Sequence, residues 1–88
     1  MKESLRGDRK LLEKSIHTKK YDRFRELLIQ ARRKACMTQT EVAKRLSNQQ
    51  SYVSKYERGE RRLDVIEFLD IARVINCDPM EIIGRLQA

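Results

Sequence analysis

The stretch that decides the fold reads QTEVAKRLSNQQSYVSKYER and occupies residues 39–58. Thr38 comes immediately before it, and Thr38 and Glu41 have the spacing of a capping box, in which two side chains satisfy backbone amides at a helix start. This signal predicts a short helix over about residues 39–46. A second helix is predicted over about residues 50–58. Two short helices joined by a turn of about three to four residues are typical of a helix-turn-helix.

The side chains of the two helices favour the same geometry. Val42, Leu46, Val53 and Tyr56 are spaced to form a shared core, and Ala43 is small where the helices must cross closely. The two polar residues after Leu46 are predicted to form the turn. A capped helix pair of this kind presents its second helix outward, in a geometry that enters the major groove of DNA.

Three further helices are predicted in the flanking sequence, which makes the fold class all-α, a compact five-helix domain. One follows Thr18, runs over about residues 19–35 and buries Phe24, Leu27, Leu28 and Ala31. The next begins at an Asp64–Glu67 capping box and ends near Asn76, and its expected buried residues are Val65 or Ile66, Leu69, Ala72, and Val74 or Ile75. The last begins at an Asp78–Glu81 box with Pro79 in the first helical position, and runs to about Leu86.

Apolar residues are spaced less regularly in the N-terminal part of the chain. We assign residues 1–17 to a basic extension and residues 18–88 to the helical domain. Leu5, Leu12 and Ile16 could share a helical face, but Gly7 interrupts it, so a sixth short helix and a flexible arm both stay open. A basic arm could also track the minor groove of DNA.

The charge distribution indicates a polyanionic partner. The 88-residue chain has a net charge of +7, divided as +4 in residues 1–20, +6 in residues 21–62 and −3 in residues 63–88. DNA, RNA or an anionic membrane surface would therefore meet the first two-thirds of the chain. No membrane role is expected, because the basic residues do not lie opposite bulky apolar residues on one amphipathic helix, and no apolar run is long enough to span a bilayer.

The residues that carry covalent or metal chemistry are few. Cys36 and Cys77 are far apart, and the one histidine, His17, lies in the weakly patterned extension, so no metal and no cofactor is expected. Both cysteines are predicted to be small, buried or half-buried side chains of a cytoplasmic protein. There is no nucleophile–histidine pair and no glycine-rich phosphate loop, so we expect no enzymatic activity.

The exposed face of the second helix carries side chains that can bind base edges. Glutamine can pair with adenine, lysine with guanine and serine with either. The residues expected to contact bases are Gln49, Gln50, Ser51, Ser54 and Lys55. A solvated face without this function more often carries paired Glu and Lys. Arg58, Arg61 and Arg62 follow directly and suit phosphates.

The chain from Arg32 to Ile83 resembles the lambda-repressor-like, Cro/Xre-type helix-turn-helix family. The matching runs are R-x-x-x-x-M-T-Q-x-E-V-A-x-R-L, then Q-S-x-V-S-K-Y-E-R-G, then L-D-V-I-E-F-L-D-I-A, and they cover about 50 of 88 residues. The resemblance implies a domain that binds pseudo-palindromic operators in double-stranded DNA as a homodimer. It also implies that Gln39 contacts a phosphate and braces Gln50. The full expected phosphate-contacting set is Gln39, Lys44, Tyr52, Arg58, Arg61 and Arg62, although Tyr52 could equally lie on the surface without this role.

The resemblance further implies a structural ion pair between Arg32 and Glu57, and a recognition helix that ends at Gly59. The sequence departs from the family in its turn, where Ser47 replaces the usual glycine and Asn48 an apolar residue. A non-glycine residue in the left-handed region costs on the order of 1 kcal/mol, so Asn48 could take the positive φ instead. The N-terminal extension is the third departure.

The last helix has more apolar residues than a short terminal helix readily buries. Met80, Ile82, Ile83 and Leu86 are therefore expected to form a homodimer contact, with a core role as the alternative. The sequence as a whole predicts a sequence-specific transcriptional regulator, a repressor, in the cytoplasm. The alternative is an antitoxin-like or protein-interaction module that uses the same fold to dock another protein.

Overall fold

The computed structural model describes residues 18–88, and expectations for residues 1–17, including His17, lie outside the described residues. In this range the chain forms five α-helices and no strand: α1 Lys19–Lys34, α2 Gln39–Arg45, α3 Gln50–Arg58, α4 Val65–Val74 and α5 Pro79–Gln87. The expected all-α, five-helix fold is confirmed. None of the five helices is both long and apolar enough to cross a membrane.

Side-chain caps fix the starts of α2 and α4 as the sequence predicts. The Thr38 hydroxyl accepts from the Glu41 amide at 3.1 Å, and the Glu41 carboxylate accepts from the Thr38 amide at 2.9 Å. The reciprocal pair between Asp64 and Glu67 closes at 2.7 and 3.0 Å. Each pair satisfies two backbone donors that the first helical turn leaves without partners.

The capping box predicted at the start of α5 was wrong. Asp78 accepts from the amide of Met80, the second helical residue, at 2.9 Å. The Glu81 carboxylate turns along the helix instead and pairs with Arg85 one turn later, at 3.1 Å. Pro79 in the first helical position has no amide to satisfy, so α5 begins stably with a single side-chain cap.

Four of the helices end in the same left-handed turn. The first or second residue past each end has positive φ: Cys36 at 58°, Ser47 at 55°, Gly59 at 82° and Asn76 at 56°. The next amide then reaches back five residues, as the Asn48 amide does to the Ala43 carbonyl at 2.9 Å. Ser47, not Asn48, takes the positive φ of the turn, because this hydrogen bond requires the left-handed residue one position earlier. The expectation for Asn48 was wrong.

The core lies between the five helices, all of which contribute buried side chains to it. Helix α2 packs on α3, α1 packs on α3 and α5, and α4 lies against α2 and α5. The most completely buried large side chains are Tyr56, Leu28, Ile71, Ile75, Val42 and Val53. Phe24, Ala31 and Leu46 are half-buried against this cluster, so the predicted apolar faces of α1, α2 and α3 are those that pack.

The predicted core face of α4 was partly wrong. Val65 and Ile66 are 69% and 67% exposed, and Leu69 is 43% exposed. The buried side chains of this segment are Phe68, Ile71, Ala72 and Ile75. Both sets have helical spacing. The contacts of α4 with α2 and α5 bury the second set, together with an edge-on contact between the Phe68 ring and the Phe24 ring of α1, whose centres are 5.1 Å apart.

The two cysteines differ from each other in their surroundings. Cys36 is exposed at the end of α1, so its expected burial was wrong, and Cys77 is half-buried. Cys36 is exposed because it occupies the left-handed turn that leaves α1. Burial raises the pKa of the Cys77 thiol, and the carboxylates of Asp78 and Glu81 raise it further. The Cys77 thiol therefore stays protonated and poorly nucleophilic near neutral pH.

Candidate nucleic-acid interface

A rigid pair of helices presents the surface that the sequence assigns to DNA. Val42 and Val53 are fully buried between α2 and α3, and Ala43 and Tyr56 are each 2% exposed. No side chain caps the start of α3, because Gln49 makes no hydrogen bond to the amides of its first turn. These amides, at the positive end of the helix dipole, lie beside the residues expected to contact bases.

Most of the residues expected to contact bases are accessible. Gln49, Gln50, Ser51 and Lys55 are exposed on α3 or just before it, whereas Ser54 is half-buried. The Ser51 hydroxyl donates to the Gln49 side chain at 3.4 Å. The structure thus gathers four accessible side chains with donors and acceptors at the start and along one face of a helix whose other face is core.

A chain of hydrogen bonds runs from the core to this face. Arg32 donates to both carboxylate oxygens of Glu57, from Nε to Oε2 at 2.7 Å and from a terminal nitrogen to Oε1 at 3.1 Å. Glu57 Oε1 also accepts from Gln39 Nε2 at 2.8 Å, and Gln39 Oε1 accepts from Gln50 Nε2 at 2.7 Å. The ion pair expected from the resemblance is present, and so is the contact between Gln39 and Gln50.

The ion pair also anchors the turn before α2. The side chain of Glu57 is 5% exposed and that of Arg32 12%. Arg32 donates a third hydrogen bond, to the carbonyl of Met37, at 2.9 Å. One half-buried guanidinium therefore connects α1, the start of α2 and the recognition helix α3, and this fixes the position of α3 against the rest of the domain.

Arg25 secures the end of α3, a role that the sequence analysis missed. It donates to the carbonyl of Glu57 at 2.7 Å and to the Asp22 carboxylate at 2.7 Å. A Cβ atom on Gly59 would lie 2.8 Å from Arg25 Nε. Gly59 is thus required both for its φ of 82° and for the close approach of Arg25. Arg25 and Glu57 are 32 residues apart, and no local pattern signals such a contact.

Two of the residues expected to contact phosphate belong to a network between α3 and α4. Arg61 lies 2.7 Å from the Glu67 carboxylate and 4.9 Å from the centre of the Tyr52 ring. The Tyr52 hydroxyl donates to the same carboxylate at 3.2 Å. Burial, followed by the charge of Glu67, raises the pKa of Tyr52 to about 12. The hydrogen bond from Arg61, followed by the Asp64 amide, lowers the pKa of Glu67.

Three more residues of this set lie at separate places on the domain: Lys44, Arg58 and Arg62. Lys44 is exposed in the last turn of α2. Arg58 pairs with Glu60 at 2.8 Å with more than half of its side chain exposed. Arg62 lies over the Tyr21 ring at 4.9 Å. Arg58 and Arg61 are exposed despite their ion pairs, and pairs of this kind contribute little to stability, so a phosphate can compete for these side chains.

The four residues expected at a dimer contact separate into two groups. Ile82 is 5% exposed and packs in the core of its own chain, so the surface role expected for it was wrong, and Leu86 is half-buried. Met80 is 67% exposed and Ile83 36%. Helix α5 packs on α1 and α4 through one stripe, and that stripe contains Ile82.

An open groove of about 390 Å³ lies elsewhere, between the C-terminal half of α1 and α5. It is lined by apolar side chains and by charges of both signs, among them Leu27, Ala31, Lys34, Glu81 and Arg85. It includes none of the residues expected to contact DNA, so it is separate from the candidate interface.

These features define the class of protein, a helix-turn-helix domain with an exposed recognition helix. The comparison with family models agrees: residues 28–82 match the family described as Helix-turn-helix. The chain is also similar to a solved structure, an XRE-family like protein from Pseudomonas syringae pv. tomato str. DC3000. The two chains are 47% identical with a TM-score of 0.79, over 88% of this chain and 94% of that one. The comparison with curated proteins found no match.

The chain therefore belongs to the helix-turn-helix family, and its domain is of the Xre type. Membership supports a DNA-binding regulator in general. A helix-turn-helix domain of this type is typically a binding module without catalytic function.

Proposed function

We propose that the protein is a transcriptional repressor that acts in the cytoplasm and binds a pseudo-palindromic operator as a homodimer. The observation that carries the proposal is the face of α3, where Gln49, Gln50, Ser51 and Lys55 are exposed and Gln50 is braced from the core. Side chains of these types bind base edges in the major groove. The helix bearing them is held near its C-terminal end, at Glu57, by Arg32 and Arg25.

Phosphate contacts would supply the affinity that does not depend on sequence. Gln39 and Lys44 lie on α2 and Tyr52 and Arg58 on α3. Arg61 and Arg62 lie in the loop that follows α3. Neutralising several phosphates releases counterions, so binding should weaken steeply as salt rises. The acidic segment of residues 63–88, with a net charge of −3, suits a position away from the DNA.

Exposed apolar side chains support the homodimer. Met80 and Ile83 on α5 and Val65, Ile66 and Leu69 on α4 have no partner that would hide them in the core, and each is at least 36% exposed. A second copy would cover these side chains and place two recognition helices in successive major grooves, about 34 Å apart. The proposed dimer contact therefore keeps Met80, Ile83 and the half-buried Leu86, loses Ile82 to the core and gains the α4 residues.

Selection of bound sequences from random duplex DNA tests the proposal, with the best site then titrated at several salt concentrations. A two-fold-symmetric motif with a steep negative salt slope is the expected result. Gln50→Ala should relax the preference at one base pair per half-site, whereas Arg61→Ala should weaken binding to all sequences. Binding without a preferred sequence would refute operator recognition.

The dimer and the repressor role need separate measurements. Sedimentation equilibrium of Val65→Glu and Ile83→Glu should show monomers, with Gln87→Glu, an exposed polar position on α5, as the control. A reporter gene placed behind the selected site should be silenced by the wild type and not by Gln50→Ala. Activation of the reporter would contradict repression. The protein-interaction module would be favoured if the wild type forms a stable complex with a different protein and Val65→Glu loses that complex but still binds DNA as the wild type does.

A further inference from the structure

The hydrogen-bond chain from Arg32 to Gln50 has only one chemically allowed direction. A guanidinium only donates, and a carboxylate only accepts. Glu57 Oε1 accepts from Arg32 and, at 2.8 Å, from Gln39, so Gln39 must turn its NH₂ group toward Glu57. Gln39 is then left with its oxygen facing Gln50, and Gln50 must turn its own NH₂ group inward, at 2.7 Å.

We propose that Glu57 is a specificity-determining positioning residue, which sets through Gln39 the end of the Gln50 amide that faces DNA. This inference rests on the proposed operator binding. With one N–H of Gln50 committed to Gln39, its Oε1 and its second N–H are left for the major groove. One acceptor beside one donor matches adenine, whose N6 amino group donates and whose N7 accepts.

Burial explains why Glu57, and not Gln50 itself, fixes the orientation of the Gln50 amide. Gln50 is exposed, and a glutamine amide on a free surface can turn over and exchange its donor and acceptor ends. The Glu57 side chain is 5% exposed and holds three hydrogen bonds from two residues, so it cannot turn. The orientation is therefore decided in the core, 18 residues from Gln39 in sequence, and passed outward through Gln39.

Glu57→Gln should reverse the chain. Its amide oxygen takes the place of Oε2, which accepts from Arg32 Nε at 2.7 Å. Its NH₂ group takes the place of Oε1, where a donor replaces an acceptor, so the 3.1 Å hydrogen bond from the terminal nitrogen of Arg32 is lost. That NH₂ group donates to Gln39, which turns over and donates in its turn to Gln50 Oε1. Gln50 then presents its NH₂ group to DNA, and this suits guanine, whose O6 and N7 both accept.

The expected change is a loss of about tenfold in the preference for adenine over guanine at the base pair contacted by Gln50. That base pair is identified independently, as the one whose preference disappears in Gln50→Ala. Glu60→Gln, which removes the same charge from an exposed position beyond α3, is the control and should keep the adenine preference. The double variant E57Q/Q39E should also keep it, because an acceptor again faces Gln50.

Gln39→Lys tests the same step with the buried ion pair intact. A lysine at position 39 only donates, so it can bind Glu57 and must meet the oxygen of Gln50. It should shift the preference from adenine toward guanine, as Glu57→Gln does. Thr40→Lys adds the same charge at the neighbouring exposed position of α2 and should leave the preference unchanged.

A structural measurement on the free protein separates positioning from general damage. In the wild type, NOEs from the Gln39 side-chain amide protons should reach Glu57, and in Glu57→Gln they should reach Gln50 instead. If the wild type selects a motif and both Glu57→Gln and Gln39→Lys keep its adenine, the inference is overturned and operator binding stands. A wild-type motif without adenine at the Gln50 base pair also overturns it. If the wild type selects no motif, the proposed function fails and the inference fails with it.

Discussion

Arg32→Met should destabilise the domain strongly, because methionine keeps the apolar stem of Arg32 and removes every donor of its guanidinium. The wild-type side chain makes two hydrogen bonds to Glu57, at 2.7 and 3.1 Å, and one to the Met37 carbonyl at 2.9 Å. After the substitution, the carboxylate stays buried at 5% exposure and keeps a donor only from Gln39.

The size of the loss follows from the burial of Glu57. Removing one partner of a buried ion pair costs about 3–5 kcal/mol, since a charge is left without compensation. The remaining hydrogen bond from Gln39 places the expected loss near the lower end, about 3 kcal/mol. For a domain of this size each kcal/mol lowers Tm by roughly 4–8 °C, so Tm should fall by roughly 12–24 °C.

Urea unfolding followed by circular dichroism measures this loss against a matched control. Arg73→Met makes the same change in an exposed pair, whose atoms are 3.5 Å apart and whose arginine side chain is 77% exposed. The control should lose less than about 0.5 kcal/mol. The double variant R32M/E57L should regain most of the lost stability, because no buried charge remains. An Arg32→Met loss no larger than that of Arg73→Met would refute the reasoning.

Three further outcomes are expected. Gly59→Ala should lower the free energy of unfolding by about 1–3 kcal/mol, because φ is 82° at this position and the added Cβ would lie 2.8 Å from Arg25 Nε. The control Gly84→Ala should not destabilise, because no atom lies within 4 Å of the added Cβ. Equal urea midpoints for the two variants would contradict this. Ser47→Gly should stabilise by roughly 0.5–1 kcal/mol because φ is 55° there, and Asn48→Gly should not; a gain at position 48 instead would count against the left-handed turn at Ser47. The pKa of Glu67 is lowered in the fold, so its contribution to stability is present above the unfolded-state pKa of about 4.3 and is lost as pH falls through the lower folded value. In a Tm series from neutral to acid pH, Glu67→Gln should start lower than the wild type and converge with it at the acid end, and a constant difference would contradict the assignment.

Local signals were sufficient for the helix boundaries. The boxes at Thr38 and Asp64 begin α2 and α4 as predicted, because both partners of a capping box lie within four residues. The capping box predicted at Asp78 does not form, and the spacing of the residues does not show the reason. Asp78 satisfies the amide of Met80, and Glu81 has an alternative partner in Arg85 one turn later. The sequence allowed either arrangement.

Helical periodicity predicted the buried faces of α2 and α3 but not that of α4. Helix α4 has two apolar stripes with helical spacing, one through Val65 and Leu69 and one through Phe68 and Ile71. Only contact with the other helices decides which stripe is buried, and the contacts with α1, α2 and α5 bury the second. The same contacts leave the first stripe exposed.

The sequence by itself determined the five helices, the caps of α1, α2 and α4, the side chains on the outer face of α3 and the basic character of the first two-thirds of the chain. These depend on neighbours within one helical turn or on residue type alone. The tertiary structure alone decided that Arg25 holds the end of α3, that Arg61 binds Glu67, and which way the chain from Glu57 to Gln50 runs. Each of these joins side chains from different elements, and their distances and hydrogen-bond directions exist only once the helices have packed.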